Sequence, residues 1–299
     1  MTNANKKPSI AFIGLGRMGG SMAKNLMGPD IDLLVYDVSH DSYPDYQAIG
    51  ARPTKKLQDA ANCEIIFLSL PAAKEVRAVL LEEGGLLPLL KKGQIVVDFS
   101  STSLASNAEI GEALAAKGVQ FMDAPVSGMP IGAQEGTLTI MAGGTEKVFA
   151  KVRPYFERMG KTILHMGPLG SGQMTKMLNN VLYNVSIAAL AEILPLAVKM
   201  GINAERFSQV INNSTGGSYA SRYFVPRVLE RNFEGAYAIS GAYKDLVNVE
   251  SITIRECIPV PVLSAATATY QMAARRNPLL DKSSMFLIYE ELLDVTVKK

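Results

Sequence analysis

The stretch Ser9-Ile-Ala-Phe-Ile-Gly-Leu-Gly-Arg-Met-Gly19 decides the fold. An apolar run leads into Gly14, Leu15, Gly16, Arg17, Met18 and Gly19, which have the pattern G-x-G-x-x-G. After a strand and before a helix, each glycine has a task. Gly14 permits the tight turn, Gly16 lets a pyrophosphate approach the backbone, and Gly19 lets helix and strand pack closely. The free N–H groups and positive dipole end of the helix then face the phosphates. Such a turn alone is weak evidence, since glycine turns are common. Here Asp37 closes the next apolar run, 18 residues beyond Gly19. A carboxylate there accepts hydrogen bonds from the adenosine ribose hydroxyls and repels a 2′-phosphate. No Arg follows Asp37 directly, so the expected cofactor is NAD rather than NADP. A strand-terminal Asp capping a turn is the bland alternative, and the strand–turn–helix context weighs against it.

Outward from this stretch, apolar runs at Leu33–Asp37, Glu64–Leu70, Gln94–Asp98 and Val119–Met122 alternate with amphipathic segments such as Met18–Leu26, Lys74–Leu81 and Leu104–Lys117. Strands alternating with helices predict βαβ units and a parallel sheet. Thr137–Ala142 and Thr162–Leu164 read as two more strands, placed as antiparallel edge members. After Gly167 strand signals stop. A helical pattern runs from Gln173 to Met200, with Pro195 expected to kink it. Further helices are expected at Ala204–Asn212, Tyr219–Arg231, Gly241–Cys257 and Pro261–Arg276. The expected architecture is an α/β N-terminal Rossmann-type domain with a mostly parallel, doubly wound sheet over residues 1–166. An all-α C-terminal domain for substrate and oligomerisation follows over 167–299, and a long helix from about residue 171 joins the two.

Composition narrows the function classes. The 299 residues are 48% apolar and carry a net charge of +2, so there is core to bury and no electrostatic footprint for nucleic acid. Two widely spaced cysteines, Cys63 and Cys257, indicate reduced thiols rather than a disulfide framework. The polar start of the chain has no apolar signal core, which points to a cytoplasmic protein. Residues 177–200 are strongly apolar, but Asn179, Asn180, Asn184, Glu192 and Lys199 interrupt them; a buried helix is expected and no membrane span. His40 and His165 are the only histidines, and no His/Cys/carboxylate cluster has ligand spacing, so neither histidine chemistry nor a metal site is expected.

Within that long helix Lys176, Asn180 and Asn184 stand at i, i+4 and i+8 and share one face. Such a polar stripe suggests a lining. A lysine there can act as base when burial or a nearby cation lowers its pKa. From spacing alone, a buried lysine paired with a carboxylate is an equal alternative.

Four stretches then carry a family resemblance. They are Gly14–Gly19 with Met22, Ala23, Asn25 and Leu26; Asp123-Ala-Pro-Val-Ser-Gly128 through Gly132-Ala133 to Gly136-Thr-Leu-Thr139; Gly167-Pro-Leu-Gly-Ser-Gly172 followed by Lys176 and Asn179-Asn180; and Lys244-Asp245-Leu246. In this order the chain resembles the β-hydroxyacid dehydrogenases, the family of 3-hydroxyisobutyrate dehydrogenase. The resemblance implies NAD-dependent oxidation of a 3-hydroxy carboxylic acid to the semialdehyde or ketone, and the reverse. It implies Lys176 as catalytic acid/base, Asn180 as the substrate-positioning amide, and Ser127 with Gly128 as the carboxylate grip. Leu70, Pro71 and Ser101 match positions that touch the cofactor, and Lys244 matches a lysine beside the nicotinamide. Met129 departs from the pattern, which has a second glycine there, and Ser101 replaces the usual threonine. Ser218, Tyr219 and Arg222 are candidates for the substrate's far end, with Arg222 a possible partner for a second acidic group. A homodimer or homotetramer is expected. The rival readings are an imine reductase, which generally lacks the lysine, and a non-catalytic dinucleotide sensor or scaffold, which need not keep Lys176, Asn180 and Ser127 together.

Overall fold

Ile10–Ile13 are all buried, two on each face of a strand that lies in the middle of a sheet, and the rest of the N-terminal unit is assembled around them. The computed structural model describes residues 7–299. It divides into two compact units, one ending at Lys176 and one beginning at Met177.

The first unit runs β1 (Ser9–Ile13), α1 (Gly19–Leu26), β2 (Asp32–Tyr36), α2 (Tyr43–Ala48), β3 (Arg52–Pro53), β4 (Ile65–Leu68), α3 (Ala73–Leu80), β5 (Ile95–Asp98), α4 (Leu104–Ala116), β6 (Gln120–Asp123), β7 (Val126–Ser127), α5 (Met129–Glu135), β8 (Leu138–Gly143), α6 (Glu146–Phe156) and β9 (Gly160–Gly167). Strand order is β3-β2-β1-β4-β5-β6-β8-β7, with β9 paired to β8. The first six are parallel; β8 runs antiparallel to β6 and β7, and β9 runs parallel to β8. Successive side chains leave opposite faces of a strand. Ile10, Phe12, Phe67 and Val97 therefore enter one core, and Ala11, Ile13, Ile66 and Val96 enter the other. Burial on both faces explains why these strands read as unbroken apolar runs rather than alternating ones. The order reverses at β1, so β2 and β4 flank it, and the crevice beyond the carboxyl ends of these strands is the place such sheets bind ligands.

Helix α7 (Ser171–Lys199) is continuous through Pro195. It is long and apolar enough to cross a membrane by length and composition. Half of its most apolar window is buried, and Val181, Ile187, Ala191 and Leu194 belong to the core of the second unit. The second unit continues with α8 (Ala204–Asn213), α9 (Tyr219–Leu229), α10 (Ile239–Arg255), α11 (Pro261–Arg276), a 3₁₀ turn (Lys282–Met285) and α12 (Phe286–Leu293). Asp281, almost fully buried, ties this unit together. It accepts from Arg227 at 2.7 Å, from the Ala236 N–H at 3.2 Å and from the Ser283 N–H at 2.8 Å.

Candidate functional site

The glycine turn closes by local geometry. Gly14 has φ +95°, and its N–H donates to the Tyr36 carbonyl at 2.9 Å, tying the end of β1 to the end of β2. A Cβ at Gly14 would overlap the Ser69 carbonyl oxygen beyond β4, and one at Gly19 would overlap the Gly14 carbonyl. A Cβ at Gly16 would meet no heavy atom within 4 Å. So two of the glycines are required by the protein's own packing, and the middle one faces open space that a phosphate group fits. Leu15 donates its N–H to Asp37 Oδ2 at 2.6 Å, and Ser39 donates to Oδ1 at 2.9 Å. The Asp37 carboxylate thus does cap a turn. It also fixes the glycine loop, and each oxygen keeps lone-pair capacity for a ribose hydroxyl. Val38, which follows it, is 86% exposed and offers no charge to a 2′-phosphate. These residues suit a dinucleotide.

The remaining residues expected to touch the cofactor from the first unit also lie just beyond strand ends. Leu70 follows β4 and donates its N–H to Ser100 Oγ at 2.8 Å; exposed Pro71 is next. Ser101 is exposed after β5, in a segment clamped by Gln173, which accepts from the Thr102 N–H at 3.1 Å and donates to the Ser100 carbonyl at 2.7 Å. Ser127 ends β7, paired with Thr139, and Gly128 follows with φ +141°. Met129, where the family pattern has glycine, takes φ +60°, a left-handed conformation that costs most residues roughly 1–2 kcal/mol.

Two buried carboxylates sit side by side at the ends of β5 and β6. Asp98 and Asp123 are register neighbours, and both are fully buried. Asp123 accepts N–H groups from Gly170 and Gln173, each at 2.7 Å, and so holds the first turn of α7. Burial pushes its carboxyl above the usual range, against the pull of those N–H donors. Burial raises Asp98 to about 7, opposed by hydrogen bonds from Ser100 and helped by the neighbouring Asp123 charge. Asp98 Oδ2 has no hydrogen-bond partner, which suits a protonated acid. In the sequence Asp123 stands out only as part of a motif, because its partners lie about 50 residues away.

Lys176 is half-buried on α7, and Asn180 follows one turn later. Asn180 donates through Nδ2 to Asp245 Oδ2 at 3.4 Å, which leaves its Oδ1 and second N–H for other partners. Asp245, on α10, lies 65 residues from Asn180, so no local spacing in the sequence reveals this contact. Lys244 itself is exposed. Asn184 is 1% exposed; its Oδ1 accepts from Lys282 Nζ at 2.8 Å and from Tyr270 Oη at 3.4 Å. Nothing in the neighbourhood of Lys282 in the chain marks this contact, which spans 98 residues. Of the far-end candidates, Ser218 forms a capping box with Ser221 at the start of α9, Tyr219 is 52% exposed with its ring 5.8 Å from that of Tyr183, and Arg222 is exposed. His165 bonds the Gly144 carbonyl at 2.7 Å and lies against Phe149, a structural placement.

Residues 9–167 match the NAD binding domain of 6-phosphogluconate dehydrogenase. Residues 170–289 match the domain described as NAD-binding of NADP-dependent 3-hydroxyisobutyrate dehydrogenase. The chain is 36% identical to 2-(hydroxymethyl)glutarate dehydrogenase of Eubacterium barkeri, over 98% of both chains. This chain belongs to the β-hydroxyacid dehydrogenase family. The NAD-dependent L-serine dehydrogenase of Pseudomonas aeruginosa is 34% identical over 90% of this chain and 93% of its own. Among solved structures, the Mycobacterium tuberculosis 3-hydroxyisobutyrate dehydrogenase with L-serine superposes with a TM-score of 0.82 at 28% identity, covering 95% of this chain and 99% of that one. The fold expected from the sequence, a largely parallel Rossmann-type domain followed by a helical one, is the fold of this β-hydroxyacid dehydrogenase. It is an NAD-binding oxidoreductase acting on CH–OH groups.

Proposed function

We propose that this β-hydroxyacid dehydrogenase oxidises a small 3-hydroxy carboxylic acid with NAD, using Lys176 as acid/base. The observation that carries the reading is the face of α7 on which Lys176 and Asn180 stand one turn apart, with the Asn180 amide held by Asp245. Lys176 Nζ takes the hydroxyl proton during oxidation and returns it during reduction; as a cation it stabilises the developing alkoxide. Asn180, with one N–H committed to Asp245, orients the hydroxyl through its remaining amide groups. Ser127 and the Gly128 N–H hold the substrate carboxylate. Gly14–Gly19, Asp37, Leu70, Pro71, Ser101 and Lys244 hold the dinucleotide, with Asp37 disfavouring a 2′-phosphate. NAD, when bound, accepts the hydride.

The substrates named for the relatives set the panel: 3-hydroxyisobutyrate, L-serine and 2-(hydroxymethyl)glutarate. NADH formation with each acid, for wild type and Lys176→Ala, tests the reading. At least one acid should turn over, with NAD preferred to NADP, and Lys176→Ala should lower kcat by about 10²–10⁴-fold, the usual worth of a positioned acid/base. Undiminished turnover in the variant would remove Lys176 from the chemistry. The protein is read as a cytoplasmic homodimer or homotetramer of 32.2 kDa protomers. Leu182, Met200, Ile254 and Val262 in the helical unit are each more than two-thirds exposed, which supports association through that unit. Light scattering that returned a single protomer mass at micromolar concentration would end that part of the reading.

A further inference from the structure

Gln173 stands in the first turn of α7 and is 4% exposed. Its side-chain amide straddles Ser101. Oε1 accepts from the Thr102 N–H at 3.1 Å, and Nε2 donates to the Ser100 carbonyl at 2.7 Å. These two backbone groups fix which way the amide points, because an N–H needs the oxygen and a carbonyl needs the nitrogen. Ser100 carries the link onward, since its Oγ accepts from the Leu70 N–H at 2.8 Å. Leu70, Ser100, Ser101, Thr102, Gln173 and Lys176 all belong to the first unit.

Each side of this link is also held without it. The backbone N–H groups of Gly170 and Gln173 donate to Asp123, each at 2.7 Å, and anchor the start of α7. Phe99 donates its N–H to the Leu68 carbonyl at 2.8 Å, and Ser100 donates its N–H to Asp98 Oδ1 at 2.9 Å, which anchors the segment after β5. What the amide adds is a fixed spacing between two parts already anchored. Lys176 stands three residues after Gln173, about 4.5 Å further along the helix and a neighbour on its surface.

We propose that Gln173 is a positioning residue for catalysis, whose side-chain amide holds the helix turn bearing Lys176 in register with Leu70 and Ser101. This role rests on the dehydrogenase reading, in which Lys176 handles the hydroxyl proton and Leu70 and Ser101 meet NAD. The proton leaves the hydroxyl and the hydride leaves the carbon that bears it, so base and cofactor must be aligned on one substrate. A misplacement of about 1 Å costs up to about 10²-fold in rate.

Single-turnover kinetics separates positioning from stability. Enzyme in excess over NAD is mixed with a saturating concentration of the acid that wild type oxidises best, and NADH absorbance is followed by stopped flow. The amplitude counts competent molecules, and the rate constant reports the reaction within them. Gln173→Met keeps the side-chain length and removes both hydrogen bonds; it should lower the rate constant at least about tenfold. Gln173→Asn keeps the amide and shortens its reach by one methylene; it should lower the rate constant at least about threefold. A merely structural role lowers the amplitude and the melting temperature and leaves the rate constant at the wild-type value. That result in Gln173→Met overturns the proposal, and if Gln173→Met does not fold, the same result in Gln173→Asn does so. Failure of the dehydrogenase reading has a different signature: wild type itself forms no NADH from any acid, and the role of Gln173 in catalysis falls with it.

Discussion

A methyl group added at Gly14 would run into the Ser69 carbonyl oxygen, whereas one added at Gly16 would meet nothing within 4 Å. The two glycines lie two residues apart in one turn, yet they serve different masters. Gly14, at φ +95°, is demanded by the fold, because both its backbone conformation and its contact with the strand-β4 exit exclude a side chain. Gly16 is demanded only by what binds there. Gly14→Ala should therefore destabilise the first unit by at least about 2 kcal/mol, the scale of left-handed strain added to a backbone clash. Gly16→Ala should leave stability within about 0.5 kcal/mol of wild type, as for other exposed substitutions. Its NADH affinity should nevertheless fall by at least about tenfold, or about 1.4 kcal/mol. Urea unfolding followed by circular dichroism, paired with NADH fluorescence titration, separates the two effects. A Gly16→Ala protein with wild-type affinity would mean that no phosphate approaches this backbone.

Elements in this protein are fixed to one another by side chains that the chain order hides. The start of α7 hangs on Asp123, and the segment after β5 hangs on Gln173, contacts that span 47 to 73 residues. Asp98, beside Asp123, makes the joint sensitive to pH. Its carboxyl is raised from an ordinary value near 3.8 to about 7, so the folded protein holds a proton that the unfolded chain releases. Stability must then fall as pH rises from about 4 through about 7, because in that window the native state binds more protons. Asp123, raised for the same reason of burial, adds in the same direction. Asp98→Asn should flatten the fall, and urea midpoints at pH 5 and pH 8 read it directly; a wild-type midpoint that rises over this interval, with no change in slope for the variant, would contradict the assignment. The same contrast between local and distant contacts sets what could be read from the sequence. Strands β1, β2, β4, β5 and β6 were legible because a sheet covered on both faces writes itself as Ile/Val/Leu runs. Helices α7 to α11 were legible from period and from Asn and Gly joints, the last of them to the residue. The two-residue strands β3 and β7 are too short to carry a period, and α12, mostly apolar around Glu290 and Glu291, has none clear enough to find. At the candidate site the glycines and Asp37 carry a local pattern. Asp245 on Asn180 and Lys282 on Asn184 are contacts across 65 and 98 residues, and no spacing rule reaches that far.

At the scale of the whole molecule, the buried residues fall into cores that share no member. Two cover the faces of the sheet, and the third is built wholly from residues after Met177. Each unit also supplies its own polar tie: Asp123 with the α7 start in the first, Asp281 with Arg227 in the second. All the hydrogen bonds that close the glycine turn lie within the first unit, as do those that set Asp37 and clamp the Ser101 segment. A fragment ending at Lys176 keeps every one of these contacts, including those of Gly170 and Gln173 with Asp123. Residues 1–176 should therefore fold alone, with a cooperative urea transition, and should bind NADH within about tenfold of the full chain's affinity, a difference of about 1.4 kcal/mol. The fragment should form no NADH from any 3-hydroxyacid, since Asn180 and Asp245 are both missing. Circular dichroism and NADH fluorescence on the purified fragment check both halves of the expectation. Cooperative folding without NADH binding would place indispensable nucleotide contacts in the helical unit, and would move the weight of cofactor recognition toward Lys244.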